Sequence, residues 1–328
     1  MMAGSNINWW SEGSDRLPEE TWSDTRAAPR SFYSAPLCDD LDQLDAQVAF
    51  LGVPYDGGGA PGSRFGPDAI RDVRVYNYAS FNGETVGGYY DIDSDRQRLA
   101  GVTMADCGNV WMIAGAPERN FWRVTRSVRG ILSRGSLPVV IGGDHSITSS
   151  VVRAFDSYES LDMVHFDAHL DYNDHVQGYR WSSSAPIRRC SELPWVRNIS
   201  QFGIRSITGG RGPVDDSRAR GNRIVTADQF RDLGPEVAMD VVPESDATYL
   251  TIDVDVLDPT VCPGTGTPEP GGLTYLEMRA ALRALARRVR IVGIDVVELS
   301  PPRDPLNISV KTVSFLLVDL LAAIFDEG

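Results

Sequence analysis

Asp162-Met163-Val164-His165-Phe166-Asp167-Ala168-His169-Leu170-Asp171 decides the fold. Its first half is a short, mostly apolar run of the kind that forms a buried strand. Its second half sets acid, imidazole and acid on alternate positions. On an extended segment, side chains two apart share a face, so Asp167, His169 and Asp171 are expected to point the same way. A parallel sheet places its ligand crevice at the carboxyl ends of its strands, where this row would stand. Working outward, similar runs at residues 47–53, 138–141, 249–254 and 291–299 read as further strands. Helical patterns lie between them at 118–134, 146–155, 274–289 and 313–325. In the third of these, Thr274 and Glu277 form a capping box, and Met278, Leu282, Leu285 and Val289 form one apolar stripe. Strands alternating with helices imply an α/β protein whose mostly parallel central sheet is covered on both faces.

Two other segments echo the first. Gly142-Gly143-Asp144-His145-Ser146 follows one strand and opens a helix. Thr251-Ile252-Asp253-Val254-Asp255, continued by Leu257-Asp258-Pro259, sets Asp253 and Asp255 two apart at a strand end. A lone Asp-x-Asp is ordinarily a turn or a helix cap, and a lone histidine after Gly-Gly is ordinarily a cap or a satisfied core group. The combination argues otherwise. So many carboxylate and imidazole groups in one crevice repel unless a cation joins them. One divalent metal, and better two, resolves this. A donor set without thiolates suits Mn²⁺, and could hold Ni²⁺, Co²⁺ or Zn²⁺. His165 reads as packed beneath the site, Asp144 as a capping or supporting group, and Asp258 as structural.

The chain is 328 residues long, enough for a large core, and lacks a convincing linker or repeat. We divide it into an irregular arm over residues 1–45, whose Trp9 and Trp10 are expected to pack on something, and one catalytic domain over 46–328. The net charge of −14 argues against nucleic acid or an anionic membrane as partner and is compatible with a small cationic substrate. Cys38, Cys107, Cys190 and Cys262 are scattered, with no CxxC pair, and read as reduced thiols in a cytoplasmic protein. No signal peptide and no run of about 18 apolar residues stands out.

These motifs resemble the ureohydrolases, the family of arginase and agmatinase, from about Leu51 to Phe325 and most closely the agmatinase branch. Gly52-Val53-Pro54-Tyr55-Asp56 and Pro61-Gly62-Ser63-Arg64-Phe65-Gly66-Pro67 look like its N-terminal signature. Pro263-Gly264-Thr265-Gly266-Thr267-Pro268, after the Asp253 segment, completes its last metal motif. The resemblance implies a three-layer α/β/α fold in trimers or hexamers, and a binuclear site of two divalent ions, Mn²⁺ first and Ni²⁺ as the alternative. His145, Asp167, Asp171 and Asp253 would hold one ion. Asp167, His169, Asp253 and Asp255 would hold the other, with Asp167 and Asp253 shared. The pair would activate a water for attack on a guanidino carbon, releasing urea and an amine. Glu298, in Gly293-Ile294-Asp295-Val296-Val297-Glu298, matches the carboxylate that grips the guanidinium; its plainer role would be a strand-end salt bridge.

The chain departs from the family at one position. Where agmatinases carry a catalytic histidine, Ser183-Ser184-Ala185-Pro186-Ile187-Arg188-Arg189 puts Ser183, which cannot shuttle a proton near pH 7 as an imidazole can. Either the substrate needs less help, or His175 in the same loop serves, or the chain is a weakly active or inactive partner of an active paralogous subunit. Formimidoylglutamases resemble it at the serine but differ in their metal motifs. Tyr172, Tyr179 and Trp181 are expected to line the pocket mouth, with Tyr172 and Trp181 as substrate contacts. No polar set for an α-amino acid head group is evident, which disfavours arginine. Agmatine, a guanidino acid, guanidine or a substituted biguanide stay open. A deacetylase-like site with a single zinc is disfavoured because no His-His pair occurs.

Overall fold

In chain order the strands are β1 (Val48–Val53), β2 (Tyr89–Asp91), β3 (Arg96–Arg98), β4 (Met104–Asn109), β5 (Leu137–Gly142), β6 (Leu161–Phe166), β7 (Val196–Ile204), β8 (Arg223–Thr226), β9 (Thr248–Asp253) and β10 (Ile291–Val297). The helices are α1 (Gly66–Asp72), α2 (Pro117–Ser133), α3 (Thr148–Val152), α4 (Pro186–Ser191), α5 (Arg211–Ala219), α6 (Ala227–Leu233), α7 (Pro235–Ala238), α8 (Tyr275–Arg288) and α9 (Ile308–Asp326). This computed structural model describes residues 30–73 and 88–326. Eight strands form one sheet in the order β4-β1-β5-β10-β9-β6-β7-β8, and every pairing in it is parallel. Strands β2 and β3 make a small separate antiparallel pair.

The alternation of side chains sorts the core into two layers. Val48 and Phe50 of β1, Val139 and Ile141 of β5, and Leu250 and Ile252 of β9 pack on the face covered by α8 and α9. Ala49 and Leu51, Val140, and Tyr249 pack on the other face, with Val124 and Val128 of α2 and Val151 of α3. Burial of both faces explains why these strands are nearly continuous apolar runs. The architecture is the expected three layers.

Helix α8 begins as its sequence demands. Thr274 accepts from Glu277 N at 3.2 Å, and Glu277 Oε2 accepts from Thr274 N at 2.7 Å. Thr274→Ala should therefore lower unfolding free energy by about 1 kcal/mol, read as a shifted urea midpoint at unchanged slope. The segment Pro305–Phe325 holds an 18-residue window of mean hydropathy 2.0, long and apolar enough to cross a membrane. Lys311 and Asp319 interrupt it, so it does not read as an unbroken apolar run. Its Val310, Val313, Leu317 and Leu320 are buried against Met278, Leu282 and Leu285 of α8, which accounts for that composition.

Only the end of the arm is described; Trp9 and Trp10 lie outside the described residues. Residues 30–45 are irregular, with single helical turns at Phe32–Ser34 and Leu41–Gln43, and most are exposed, but a few reach the core. Phe32 and Tyr33 are buried, and Phe32 N donates to Asp106 Oδ2 at 3.0 Å. Their rings pack on Phe50, a burial of aromatic surface that a polar neighbourhood in the sequence conceals.

Candidate metal centre

Four adjacent central strands, β5-β10-β9-β6, deliver the candidate residues from their carboxyl ends. His145 follows β5 in a single helical turn, His145–Ile147, capped by Asp144, which accepts from Ser146 N at 3.0 Å. The entry is tight: a Cβ on Gly143 would lie 1.6 Å from Tyr55 O, so only glycine lets the backbones meet. Asp167, His169 and Asp171 follow β6, Asp253 ends β9, and Glu298 follows β10.

The side chains do converge, but extended geometry does not produce the convergence. Strand β6 stops at Phe166, and Asp167 Oδ1 accepts from His169 N at 2.5 Å, which turns the chain. Asp171 then adopts a left-handed φ of 49°. Asp253 likewise caps the turn Val254–Val256, accepting from Asp255 N at 2.9 Å. Carboxylate-to-amide turns thus replace strand alternation as the reason these side chains meet.

Asp167 stands between two histidines. Its Oδ2 lies 3.3 Å from His145 Nδ1, and its Oδ1 lies 3.3 Å from His169 Nδ1. His145 Nδ1 also faces Asp171 at 2.9 Å and Asp253 at 3.3 Å. His169 Nδ1 faces Asp255 at 3.1 Å. These form two overlapping nests that share Asp167, one around each histidine. His145 Nδ1 is buried without a well-formed hydrogen bond, aimed at three carboxylates. Glu298 Oε2 is buried too and has no hydrogen-bond partner among the described residues, while its Oε1 accepts from His145 N at 2.8 Å. A buried donor set of this kind, with lone pairs facing one another, fits divalent cations.

The ionisation pattern agrees. Burial, and next the charges of Asp255 and Asp167, push Asp253 well above the usual carboxylate range. Burial and then Asp167 lift Asp171 to about 7. Burial opposes ionisation of Asp167, yet His165, His145 and His169 hold it well below that range. Burial also opposes charging of His169, but Asp167 and Asp255 raise it to about 12. Without cations the cluster therefore keeps protons on both histidines and on some carboxyls. Cations must displace them, so affinity should rise with pH across the neutral range. Titrating Mn²⁺ into metal-free protein at pH 7 should release more than one proton per chain, measured by calorimetry in buffers of different ionisation enthalpy. Proton-neutral binding would contradict this.

Of the supporting residues, Asp258 was read from the sequence as structural, whereas Arg205 was not singled out there. Arg205 donates to the carbonyls of Asp255 and Glu269 at 2.7 Å each and of Pro270 at 3.1 Å, bracing the turn that carries Asp255. Thr267 donates to Asp255 Oδ2 at 2.9 Å. Asp258 accepts from the amides of Thr260, Gly271 and Gly272, a structural role.

The loop residues fall elsewhere. Tyr172 does not line the mouth. It is buried in the core, its Oη 2.9 Å from Ser191 Oγ and its ring 5.5 Å from the Arg188 guanidinium, because the left-handed turn at Asp171 carries it beneath α4. Trp181 is half-buried and joins Phe121 and Tyr55 in a row of rings, with centroids 5.6 and 5.3 Å apart. His175 is exposed, its Nδ1 accepting from Gly178 N at 3.2 Å within its own loop. Ser183 N donates to Gly58 O at 3.0 Å, which sets Ser183 beside the glycine-rich loop of the N-terminal signature.

Fold and site together define a class: an α/β/α hydrolase with an acid-and-histidine nest at the ends of its central strands. The chain belongs to the arginase family, whose profile matches residues 46–323. It is 34% identical over 283 residues to an agmatinase of Bacillus subtilis, covering 84% of this chain and 91% of that one. It is 34% identical over 298 residues to a guanidinopropionase of Pseudomonas aeruginosa, covering 88% and 89%. Among solved structures, the proclavaminate amidino hydrolase of Streptomyces clavuligerus superposes with a TM-score of 0.77 at 31% identity, over 91% of this chain and 97% of that one.

Proposed function

We propose that the protein hydrolyses the carbon–nitrogen bond of an alkyl guanidino compound, releasing urea and the corresponding amine. The observation that carries this reading is Asp167, which presents one carboxylate oxygen to each of two histidine-centred nests. His145, Asp167, Asp171 and Asp253 would hold one divalent ion, and Asp167, His169, Asp253 and Asp255 the other. Bound there, such a pair would supply the positive charge that makes water nucleophilic near neutral pH. The hard oxygen-rich donor set favours Mn²⁺, with Ni²⁺ the alternative. Glu298 Oε2 would accept from the substrate guanidinium and orient its planar carbon. The water oxygen bonds to that carbon, the bond to the substituted nitrogen breaks, and the departing amine takes the proton that the water gives up. Names of relatives that act on agmatine and on a guanidino acid support this substrate class.

The proton on the leaving amine does not come from His175 in this reading. That ring is exposed and tied to Gly178, so His175→Ala should leave turnover within about twofold; a tenfold loss would restore it as a relay. The reading as a whole is tested by urea release from agmatine, guanidino acids, guanidine, a substituted biguanide and arginine, with Mn²⁺ and separately with Ni²⁺. Urea from one of the first four supports it. No urea from a chain shown to carry two ions would overturn it in favour of a partner-subunit role.

A further inference from the structure

One layer beneath the candidate ligands, a row of polar side chains crosses the sheet. Asp295 of β10 is in register with Thr251 of β9, Thr251 with His165 of β6, and His165 with Gln201 of β7. All four are buried. Strand parity puts them on the layer shared by Tyr249 and Met163, otherwise apolar. Four buried polar groups at one level of a parallel sheet are costly unless each is satisfied and serves something.

The hydrogen bonds have a direction. Asn222 Nδ2 donates to Ser217 Oγ at 3.0 Å, and Ser217 Oγ donates to Gln201 Oε1 at 3.1 Å. Gln201 Nε2 donates to the carbonyl of Leu170 at 2.8 Å. That carbonyl can only accept, so the amide cannot be flipped. The second hydrogen on Nε2 points at His165 Nδ1, 3.0 Å away. His165 Nδ1 is therefore the acceptor, and its Nε2 carries the proton donated to Asp167 Oδ2 at 2.8 Å. At the other end, His145 Nε2 lies 3.1 Å from Thr251 Oγ1. Asp295, fixed by Tyr249 Oη at 2.6 Å, is the carboxylate beside Thr251.

We propose that this row chooses the ring nitrogens at the centre: Gln201 makes His165 a donor to Asp167, and Thr251 takes the Nε2 proton of His145 so that Nδ1 is left for a cation. Gln201 and Thr251 are then positioning residues, acting through His165 and His145, and His165 has no lone pair to offer a metal. The Thr251 half rests on the metal reading above; the Gln201 half does not.

Two measurements test it. The chain has four histidines, few enough to resolve in long-range ¹H–¹⁵N spectra of ¹⁵N-histidine protein loaded with Zn²⁺. His165 should appear as the Nε2–H tautomer; an Nδ1–H tautomer overturns the proposal. Equilibrium dialysis with Mn²⁺ then compares the wild type with Thr251→Val and Thr251→Ser. Valine should weaken one of two ions by about 10- to 100-fold while leaving the other, and serine should restore binding to within about threefold. Equal affinity in the valine variant, or no recovery with serine, overturns the Thr251 half. A wild type that binds no metal defeats the metal centre itself and leaves the His165 tautomer to be judged alone. Should valine prevent folding, the wild-type spectra still decide the Gln201 half, and the Zn²⁺-loaded His145 signal tests the Thr251 half, which an Nδ1–H tautomer there overturns.

Discussion

Asp167→Asn should cut urea release by about a thousandfold or more and leave at most one Mn²⁺ per chain. Asparagine keeps the shape of aspartate but has one oxygen and no charge. Here both oxygens are engaged, Oδ2 toward His145 and Oδ1 toward His169, so the amide can satisfy only one nest. A carboxylate shared by two cations also neutralises part of their mutual repulsion, and losing it raises the cost of holding both. A thousandfold corresponds to ~4 kcal/mol at the transition state, within the several kcal/mol that such ions supply. The fold should persist, because Phe166 and Ala168 on either side stay buried and the asparagine side-chain oxygen can still accept from His165 Nε2, 2.8 Å from Asp167 Oδ2. Metal content by elemental analysis separates this from trivial misfolding, together with circular dichroism of the metal-free protein. Two ions retained with turnover within tenfold of wild type would end the case for a shared carboxylate.

Asp167 and its neighbours were legible in the sequence, and other parts of the molecule were not, for physical reasons. Strands β1, β5, β6, β9 and β10 could be read because both faces are buried, so their apolar runs are nearly continuous. Strand β4 holds Asp106, Cys107, Gly108 and Asn109 at its last four positions, and β7 holds Arg197, Asn198, Gln201 and Gly203. Their polar groups serve particular partners: Asp106 takes Arg71, and Gln201 takes His165. Such pairs are set by tertiary packing, across gaps of 35 and 36 residues, and leave no periodic trace. The ligands themselves stood out because acid and imidazole crowded at strand ends repel one another unless a cation joins them. The geometry that joins them did not, since an Asp-x-His or Asp-x-Asp spacing is equally the spacing of a carboxylate that bonds the amide two residues on. Tyr172 shows the same limit. Its place in the chain suggests a pocket wall, and one left-handed residue before it sends it into the core.

Glu298→Gln should lower kcat/KM by about 10²- to 10³-fold while both ions stay bound. Glutamine preserves the contact at Oε1, where the carboxylate accepts from His145 N, so the centre should assemble unchanged. What it removes is negative charge at Oε2, which is buried and has no hydrogen-bond partner among the described residues. A strand-end salt bridge would account for a glutamate here, but no basic side chain among the described residues pairs with it. Burial, and next the charges of Asp253 and Asp144, raise Glu298 well above its usual range, so without cations it carries its proton. Glutamine imitates that neutral form, which is why the metal-free fold should not suffer. Charge returns to the carboxyl only when cations and a guanidinium offset its neighbours, and that is the state glutamine cannot reach. Losing one partner of a buried charge pair costs about 3–4 kcal/mol, hence the fold-change. Because the pairing exists as soon as substrate binds, much of the loss should appear as a raised KM, with an added fall in kcat if the carboxylate also fixes the planar carbon against the incoming water. Activity within about fivefold of wild type at full metal occupancy would remove Glu298 from substrate recognition. Loss of an ion in the same variant would instead make it part of the metal nest.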